Sequence, residues 1–257
     1  MYDCLRAASP GPARPRHFGA IDIAGFEKDN FYYYKARWSG DPLGNGTGAP
    51  VLHILPHWNW DAHAFGSNSN ATFPGTVWAH TNADEVELWV NGNSLGRKKL
   101  SVVKTVKYNQ TTDITQHIEW SGIEYAAGHL EARAYRGGVE VANTSINTAG
   151  APASIELSVD FPLTALRANG QDIALVRATI RDANGLFVPT ACDNLISFVA
   201  SGPGVIVGVG KGLGYLWTKY HTSRGFDSVA LLSSWYLSTM VMTMTLVRMT
   251  FYLKYFC

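Results

Sequence analysis

Short runs of alternating apolar and polar residues fill most of the chain, and turn residues separate them. Residues 50–148 contain seven such runs, and residues 151–212 contain four or five more. A period of two places neighbouring side chains on opposite faces of a β-strand, so each run can turn one face to a core. Strands at this spacing favour a β-sandwich in each segment. Because a sandwich of the immunoglobulin type has about seven strands, we expect the first to be complete and the second to be partial.

Turn signals agree with this pattern. Asn91-Gly92 and Gly137-Gly138 supply the positive φ angles of a tight hairpin turn, and Asn169-Gly170 and Asn184-Gly185 mark turns in the second segment. On the strand before Asn91 the alternation predicts one buried and one exposed face. The residues expected to face the core are Val86, Leu88 and Val90, and those expected to face outward are Glu85, Glu87 and Trp89.

A helical period precedes the strands. Between residues 18 and 38, apolar and aromatic residues recur at spacings of three, four or seven, which predicts a helix with a break near Gly25. Asp29 or Asn30 is expected to cap its second half. Because a single amphipathic helix is stable only when it packs on something else, this one predicts a large partner surface. Its aromatic residues are Phe26, Phe31, Tyr32, Tyr33, Tyr34 and Trp38.

Composition and charge narrow the function classes. The 257 residues are 46% apolar with a formal charge of +1, which gives no reason to expect a nucleic-acid partner. Residues 1–17 are rich in Pro, Ala and Arg and are predicted to be disordered. They lack the apolar core of a signal peptide, so either the chain starts in the cytosol or its true start lies upstream. The three cysteines, Cys4, Cys192 and Cys257, form no metal-binding spacing, and no cofactor is expected.

The last part of the chain, residues 213–257, differs in composition. Four of the five methionines lie between residues 240 and 249, and residues 228–247 carry no charged side chain. Twenty uncharged residues suit one crossing of a bilayer, which makes 228–247 a candidate membrane segment. Seven of these twenty are Ser or Thr, which weaken insertion. The alternative is a non-native tail from a shifted frame or a retained intron.

Several long motifs in order carry a resemblance to a known family. They are FGAIDIAGFEKDNFYYYK at 18–35, HILPHWNW at 53–60, TNADEVELWVNGNSLGRKK at 81–99, TAGAPASIELSVD at 148–160, and the segment 188–210 that ends in GPGVIVGVG. Together they resemble the C-terminal third of glycoside hydrolase family 2, of the β-galactosidase type. The resemblance ends after Gly210, where the family continues with a polar segment and further strands.

The resemblance implies a fold and a partner. Residues 18–38 are similar to the last helical region of the catalytic (β/α)8 barrel, residues 50–148 to an immunoglobulin-like sandwich, and residues 151–212 to part of a second one. The family retains anomeric configuration by means of two carboxylates about 5 to 5.5 Å apart. Both lie on barrel strands before this portion, and the acid/base glutamate normally follows an asparagine. This chain has no Asn-Glu pair, so no catalytic residue is expected and the missing barrel is the implied partner.

Trp58 and Trp60 are the candidate substrate-binding residues. Two indoles on one strand face can stack on a sugar ring, whereas the alternative is that both are buried core. The carboxylates Asp84, Glu85 and Glu87 are interpreted as a solvated strand face. Glu119 beside Trp120 and Glu124 beside Tyr125 place an acid near an aromatic surface, as sugar sites do, with the same alternative. His53, His57 and His63 have no completing ligand, so no metal site is expected.

The expected function is therefore that of a structural, accessory C-terminal fragment of a β-galactosidase-like enzyme, inactive by itself. The alternative is a free-standing carbohydrate-binding or adhesive β-sandwich protein, anchored in a membrane by its tail. Four Asn-x-Ser/Thr sequons favour an extracellular or secretory location, although the compartment stays open. Their asparagines are Asn45, Asn70, Asn109 and Asn143.

Overall fold

The structure is a computed structural model of the 257-residue chain. It describes residues 19–21, 25–39, 48–60, 73–107, 110–115, 117–161, 173–191, 194–200, 204–211, 222–224, 227–234 and 249–250. Within these ranges the chain is mostly β, with one α-helix and sixteen strands, and it divides into two compact units. The first unit holds most of the residues up to Thr148, and the second consists of Ala149–Cys257 with short earlier segments such as Asp22–Phe26. Residues 1–17, which are predicted to be disordered, lie outside the described residues.

The first unit contains one helix and nine strands. They are α1 (Asp29–Trp38), β1 (Leu52–Leu55), β2 (Thr76–Thr81), β3 (Glu85–Val90), β4 (Asn93–Lys99), β5 (Val102–Lys107), β6 (Gln110–Thr115), β7 (Ile118–Ser121), β8 (His129–Arg136) and β9 (Val139–Asn147). One antiparallel sheet has the order β1-β2-β7 and a second has the order β4-β3-β8-β9. A three-stranded sheet and a four-stranded sheet together have the seven strands of an immunoglobulin-like sandwich. The hairpin β5–β6 is not one of the seven predicted runs, since its residues carry no continuous apolar face.

The inner faces of both sheets form the core of this unit. Val86 and Leu88 of β3 are fully buried, as the alternation predicts, and Val90 is half-buried. Leu130 of β8 and Trp58, which follows β1, lie in the same core cluster. On the outer face, the three residues predicted to point outward are partly exposed; these are Glu85, Glu87 and Trp89.

Both predicted hairpin turns of the first unit are confirmed. Asn91 and Gly92 have φ angles of 49° and 81°, and Gly137 and Gly138 have 57° and 83°. Two successive positive φ angles are what a tight turn between antiparallel strands requires. The side chain of Asn91 holds its turn, because Oδ1 accepts a hydrogen bond of 2.7 Å from the backbone N–H of His129.

The region before β1 is helical only in its second half. Gly19 and Gly25 have φ angles of 102° and 92°, and Ile21 pairs with Glu27 in an isolated antiparallel bridge. Positive φ angles interrupt an α-helix, so the chain turns here before the helix begins. The predicted break near Gly25 is therefore confirmed, and the helix is shorter than the stretch of residues 18–38.

The N-terminus of α1 differs from the predicted cap. Lys28 occupies the N-cap position with an extended backbone and makes no side-chain cap hydrogen bond, so capping by Asp29 or Asn30 is wrong. Asp29 lies in the first turn instead, where a negative charge favours the helix dipole. Its carboxylate contacts His53 of β1, which binds the helix to the sheet.

The second unit contains seven described strands. They are β10 (Pro152–Phe161), β11 (Ile173–Asp182), β12 (Leu195–Ser197), β13 (Gly204–Lys211), β14 (Thr222–Arg224), β15 (Asp227–Ser234) and β16 (Met249–Thr250). One sheet has the order β10-β11-β15-β13 and the other has the order β14-β12-β16. Their core contains Ile180, Val188, Ile196, Phe198 and Val209, all of which are at most 2% exposed.

Three of these strands come from the region beyond residue 212. Strand β15 is hydrogen-bonded between β11 and β13, and residues 228–234 of the candidate membrane segment form most of it. Residues 235–248 lie outside the described residues. In the part of the chain that the structure describes, no helix is long and apolar enough to cross a membrane. The membrane segment and the tail boundary stay predictions.

Candidate functional site

A row of histidines lies where α1 packs on the three-stranded sheet. His53 of β1 and His80 of β2 are cross-strand partners, and their ring centroids are 6.4 Å apart. His117, which directly precedes β7, extends the row, with its ring 6.0 Å from that of His80. Tyr32 of α1 stacks on His53 at 3.9 Å, and Tyr33 meets His80 edge-on at 5.5 Å. We call these three histidines the histidine row.

Carboxylates contact the two end members of the histidine row. Asp29 Oδ1 lies 2.9 Å from His53 Nε2, and Glu119 Oε2 lies 3.6 Å from His117 Nε2. Burial alone would raise the pKa of the Asp29 carboxyl, but its hydrogen bond with His53 leads the effects that outweigh burial. The pKa of Asp29 therefore lies well below its usual value. Burial, followed by the charge on the neighbouring His53 and His117, lowers the pKa of His80 to about 4.

His80 is the uncompensated centre of the row. Its side chain is 4% exposed, and Nδ1 is buried without a hydrogen-bond partner. A neutral imidazole tolerates such a site far better than a charged one. Among the described residues, no three His, Cys, Asp or Glu side chains converge as metal ligands. The row is therefore a packing contact between helix and sheet that is sensitive to protonation.

Trp58 and Trp60 are covered by the chain itself. Trp58 is 0% exposed and donates a 2.9 Å hydrogen bond from Nε1 to the carbonyl of Ala126. Trp60 is 6% exposed, donates to the carbonyl of His57, and stacks on the His57 ring at 4.6 Å. Burial lowers the pKa of His57 to about 4. These observations favour the buried-core alternative, and sugar stacking on the two indoles stays a prediction.

Three of the carboxylates singled out in the sequence, Asp84, Glu85 and Glu87, make contacts within the protein. Glu85 and Glu87 both contact Arg97, at 3.5 and 3.7 Å, and the Arg97 guanidinium lies 3.5 Å from the Tyr135 ring centroid. Asp84 accepts a 2.7 Å hydrogen bond from the backbone N–H of Gly137. Asp84 is exposed and Glu85 and Glu87 are partly exposed, in agreement with the interpretation as a solvated strand face.

A groove of about 410 Å³ lies between β4 and the end of β7. Strands β4 and β7 are edge strands of their sheets. The groove contains an amide, an ammonium, a hydroxyl and a carboxylate beside apolar side chains, a mixture found in small-ligand sites. The lining residues with these properties are Asn93, Leu95, Lys98, Trp120, Ser121 and Glu124.

The sequence paired Glu119 with Trp120 and Glu124 with Tyr125 as acids near an aromatic surface, but it did not indicate that Asn93 and Lys98 line a groove with Trp120 and Glu124. Lys98 is cross-strand to the buried Val86, and Asn93 is cross-strand to Val90, so both stand at positions that face the sandwich interior. Polar residues at inward positions of an alternating strand are the signal that could have found them. His80 and His117 were missed because only the fold brings three strands side by side.

The remaining predicted residues are mostly outside the described part. Asn143 lies on β9 with an exposed side chain that donates a 3.2 Å hydrogen bond to Glu140. Its sequon is accessible, and glycosylation there stays a prediction. The residues outside the described ranges are Asn45, Asn70, Asn109, His63, Cys4, Cys192 and Cys257.

Two family models match the chain. Residues 74–142 match a family described as Domain of unknown function (DUF4982), and residues 155–224 match Glycoside hydrolase family 2 C-terminal domain 5. The first match covers β2 to β8 and therefore most of the first sandwich. The second begins within β10 and runs to the end of β14.

Curated relatives are much longer than this chain. The β-galactosidase BoGH2A of Bacteroides ovatus is 36% identical over 205 residues, which are 78% of this chain and 20% of that protein. A putative β-glucuronidase of Formosa agariphila is 38% identical over 141 residues, which are 55% of this chain and 11% of that protein. The chain thus spans about a fifth or less of the length of these relatives.

Solved structures agree with the fold. A β-glycosidase from Bacteroides vulgatus aligns with 84% of this chain at a TM-score of 0.66 and 30% identity, and the alignment covers 24% of that structure. A glycosyl hydrolase family 2 member from Bacteroides cellulosilyticus aligns with 86% of this chain at a TM-score of 0.61 and 24% identity, covering 29% of its own length. At that identity the second likeness concerns the fold alone.

Proposed function

We propose that this chain is the accessory part of a longer glycosidase. The premise is that the chain matches the C-terminal portion of glycoside hydrolase family 2. In this proposal the longer protein hydrolyses β-galactosides or β-glucuronides on a barrel that precedes the chain. The two sandwiches brace that barrel and carry no catalytic carboxylate. The observation that carries the proposal is that the chain covers only about a fifth of its relative's length. The matching family model, moreover, describes a C-terminal domain.

The exposed face of α1 supports a missing partner. Tyr34 is 42% exposed and Trp38 is 80% exposed, and their rings are 5.2 Å apart on the same side of the helix. Contiguous exposed apolar surface is characteristic of interaction sites, and these two adjacent rings form such a patch. The opposite side of α1 already packs on the sheet through Tyr32 and Tyr33. A barrel that precedes the chain would cover the exposed pair.

The contacts of four described carboxylates support an accessory role. Retaining hydrolysis requires one free nucleophilic carboxylate and one acid facing the same sugar. Glu85 and Glu87 hold Arg97, Asp84 binds a turn, and Asp182 accepts backbone hydrogen bonds. Side chains committed in this way are not available as a catalytic pair.

Hydrolysis by the chain and by the longer protein tests the proposal. The 257-residue chain and a protein extended upstream through the barrel are incubated with aryl β-galactoside and aryl β-glucuronide. We expect cleavage by the extended protein alone, because only the barrel supplies both carboxylates. Cleavage by the chain that is lost in a Glu119→Gln or Glu124→Gln variant would overturn the accessory role. Absence of cleavage by the extended protein would overturn the glycosidase assignment.

The second candidate, a membrane-anchored carbohydrate-binding protein, makes a different prediction. It requires glycan binding that depends on Trp58 or Trp60 and extraction from membranes only with detergent, dependent on residues 228–247. Extraction of the protein without detergent, together with no binding on a glycan array, would rule out this second candidate. The burial of Trp58 and the strand at 227–234 both favour the accessory role over this candidate.

A further inference from the structure

We propose that the groove between β4 and β7 is a binding subsite for a neutral saccharide. It lies at the open side of the first sandwich, where β4 is the edge of one sheet and β7 is the edge of the other. Its volume of about 410 Å³ falls in the range of small-ligand sites, toward the lower end. A space of this size suits one or two sugar rings rather than a long glycan.

One wall of the groove is polar because β4 has polar residues at positions that face inward. Asn93 pairs with Val90 and Lys98 pairs with Val86, whose side chain is fully buried. Cross-strand partners project to the same face of a sheet, so Asn93 and Lys98 stand where a closed sandwich carries apolar residues. The register shift between Glu87 and Trp89 separates the two positions along β4. The sandwich therefore opens at this edge instead of sealing.

An apolar floor and a polar rim complete the groove. Leu95, which is 40% exposed, and the partly exposed Ile123 form the apolar surface of the floor, and Trp120, only 3% exposed, also lines the groove. Ser121 and Glu124 are exposed at the opposite wall. The polar groups thus surround a surface on which the C–H face of a ring can lie.

Most of the hydrogen-bonding capacity of the groove is unused. Lys98 Nζ donates a 2.8 Å hydrogen bond to the carbonyl of Glu119 and lies 5.7 Å from the Trp120 ring, which leaves further ammonium protons. In the part of the chain that is described, the side chains of Asn93, Ser121 and Glu124 make no protein hydrogen bond. These groups offer both donors and acceptors to a ligand.

This combination selects a class of ligand. One cation and one anion leave the groove with no net charge, so it offers no net electrostatic attraction to an anion or to a cation. An apolar ligand would leave the polar groups without partners, which costs free energy. A pyranose has hydroxyls that both donate and accept and a C–H face for the floor. The choice of a sugar as the probe also rests on the proposed function.

A purely structural role for Lys98 makes the opposite prediction. An inward-pointing charge on an edge strand protects a sheet from pairing with another chain. In that case the groove binds no sugar, and replacement of Lys98 changes association between chains instead.

Lactose binding by the full 257-residue chain tests the proposal. Saturation-transfer difference NMR is recorded at millimolar lactose, and dissociation constants are measured by titration for the parent chain and the Asn93→Ala, Lys98→Gln and Glu124→Gln variants. We expect saturation transfer to lactose and a dissociation constant raised about tenfold by each variant, since each removes a hydrogen bond to the ligand. Far-UV circular dichroism confirms that each variant is folded.

Lys99→Gln is the matched control. Lys99 is the next residue of β4, points to the opposite face, and contacts Glu85 at 3.8 Å. We expect this variant to bind lactose as the parent chain does. Absence of saturation transfer, or lactose affinity unchanged in all three groove variants, overturns the subsite. Binding of methyl β-D-glucuronide without binding of lactose also overturns it, because the groove would then recognise an anion.

This test is independent of the proposed function. Binding is measured on the chain without turnover, whereas the proposed function is tested by hydrolysis in the longer protein. A groove that fails to bind lactose leaves the accessory role intact. An extended protein without glycosidase activity leaves a measured lactose site in place.

Discussion

The carboxylate of Asp182 shows how one buried polar residue can join separate parts of a unit. Its side chain is 3% exposed, and it accepts hydrogen bonds of 2.8 Å from the backbone N–H groups of Gly150, Asn184 and Leu186. The bond from Gly150 is the largest of the effects on this group. Together with the bonds from Leu186 and Asn184 it outweighs burial and lowers the pKa of the Asp182 carboxyl. Asp182 thus ties the start of the second unit to the turn after β11.

Asp182→Asn should lower the stability of the second unit at neutral pH. The amide places an N–H group where Oδ2 now accepts from Gly150, so two donors face each other. Because the folded pKa is depressed, the carboxylate stabilises the fold above its unfolded pKa of about 3.9 and stops doing so as pH falls through the folded value. Urea unfolding at pH 7 and at pH 3 should show a difference from the parent chain that shrinks at the lower pH. An equal difference at both values would contradict this role.

Trp58 is the residue whose truncation should cost most in the first unit. Its indole is 0% exposed and packs against Phe73 and Tyr125, at ring distances of 5.2 Å each. Trp58→Ala should lower the free energy of unfolding by about 3–5 kcal/mol, as for other buried aromatic residues. Trp58→Phe should cost less, because it keeps a ring and loses mainly the bond to Ala126. Denaturant unfolding checks both. A loss below about 1 kcal/mol for Trp58→Ala would place the ring outside the core.

At the scale of elements, the contact between α1 and the sheet depends on protonation. His80 is packed by Tyr33 and faces His53, His117, Asp29 and Arg37. Its folded pKa of about 4 lies below the ordinary value of 6.5. The unfolded state therefore binds the proton more readily, and the stability of the fold declines as pH falls from the unfolded toward the folded pKa.

His80→Phe should make this contact less sensitive to acid. Between pH 7.5 and pH 4.5 the parent chain should lose roughly 3 kcal/mol of unfolding free energy through His80, which the variant avoids. His57 contributes equally to both proteins, so it cancels in the comparison. Urea unfolding at the two pH values measures the difference. Thr76→Val, on the same strand as His80, is the control, because it changes no titratable group. Equal pH dependence in parent and His80→Phe would contradict the role of this residue.

Element by element, local pattern and structure agree where one face of a strand is buried. The alternation in β3 and the Asn91-Gly92 turn were predicted because both depend on a few neighbouring residues. The hairpin β5–β6 was not predicted, because its sequence pattern has no apolar face that indicates a strand. The groove also escaped the sequence, because the inward direction of Lys98 follows from its pairing with β3.

At the scale of the whole molecule, α1 presents the exposed rings of Tyr34 and Trp38, which the proposed barrel would cover. Trp38→Ala should change the stability of the 257-residue chain by less than about 0.5 kcal/mol, because its ring is 80% exposed. In the protein extended through the barrel the same change should cost about 1.5–3 kcal/mol, the worth of a buried large side chain. Thermal unfolding of both proteins measures this. An equal small effect in both would show that the barrel does not cover α1.

The sequence by itself indicated the β-rich fold class, the resemblance to glycoside hydrolase family 2 and most strands of the first unit. Alternation, turn residues and long motifs are local, and they survive in a chain that spans a fifth of its relative's length. Tertiary structure alone decided three other features. It placed His53, His80 and His117 side by side and buried Trp58. It also placed Asn93 and Lys98 on the inner face of an edge strand. The reason is that strand pairing and burial depend on residues far apart in the chain, which no local period records.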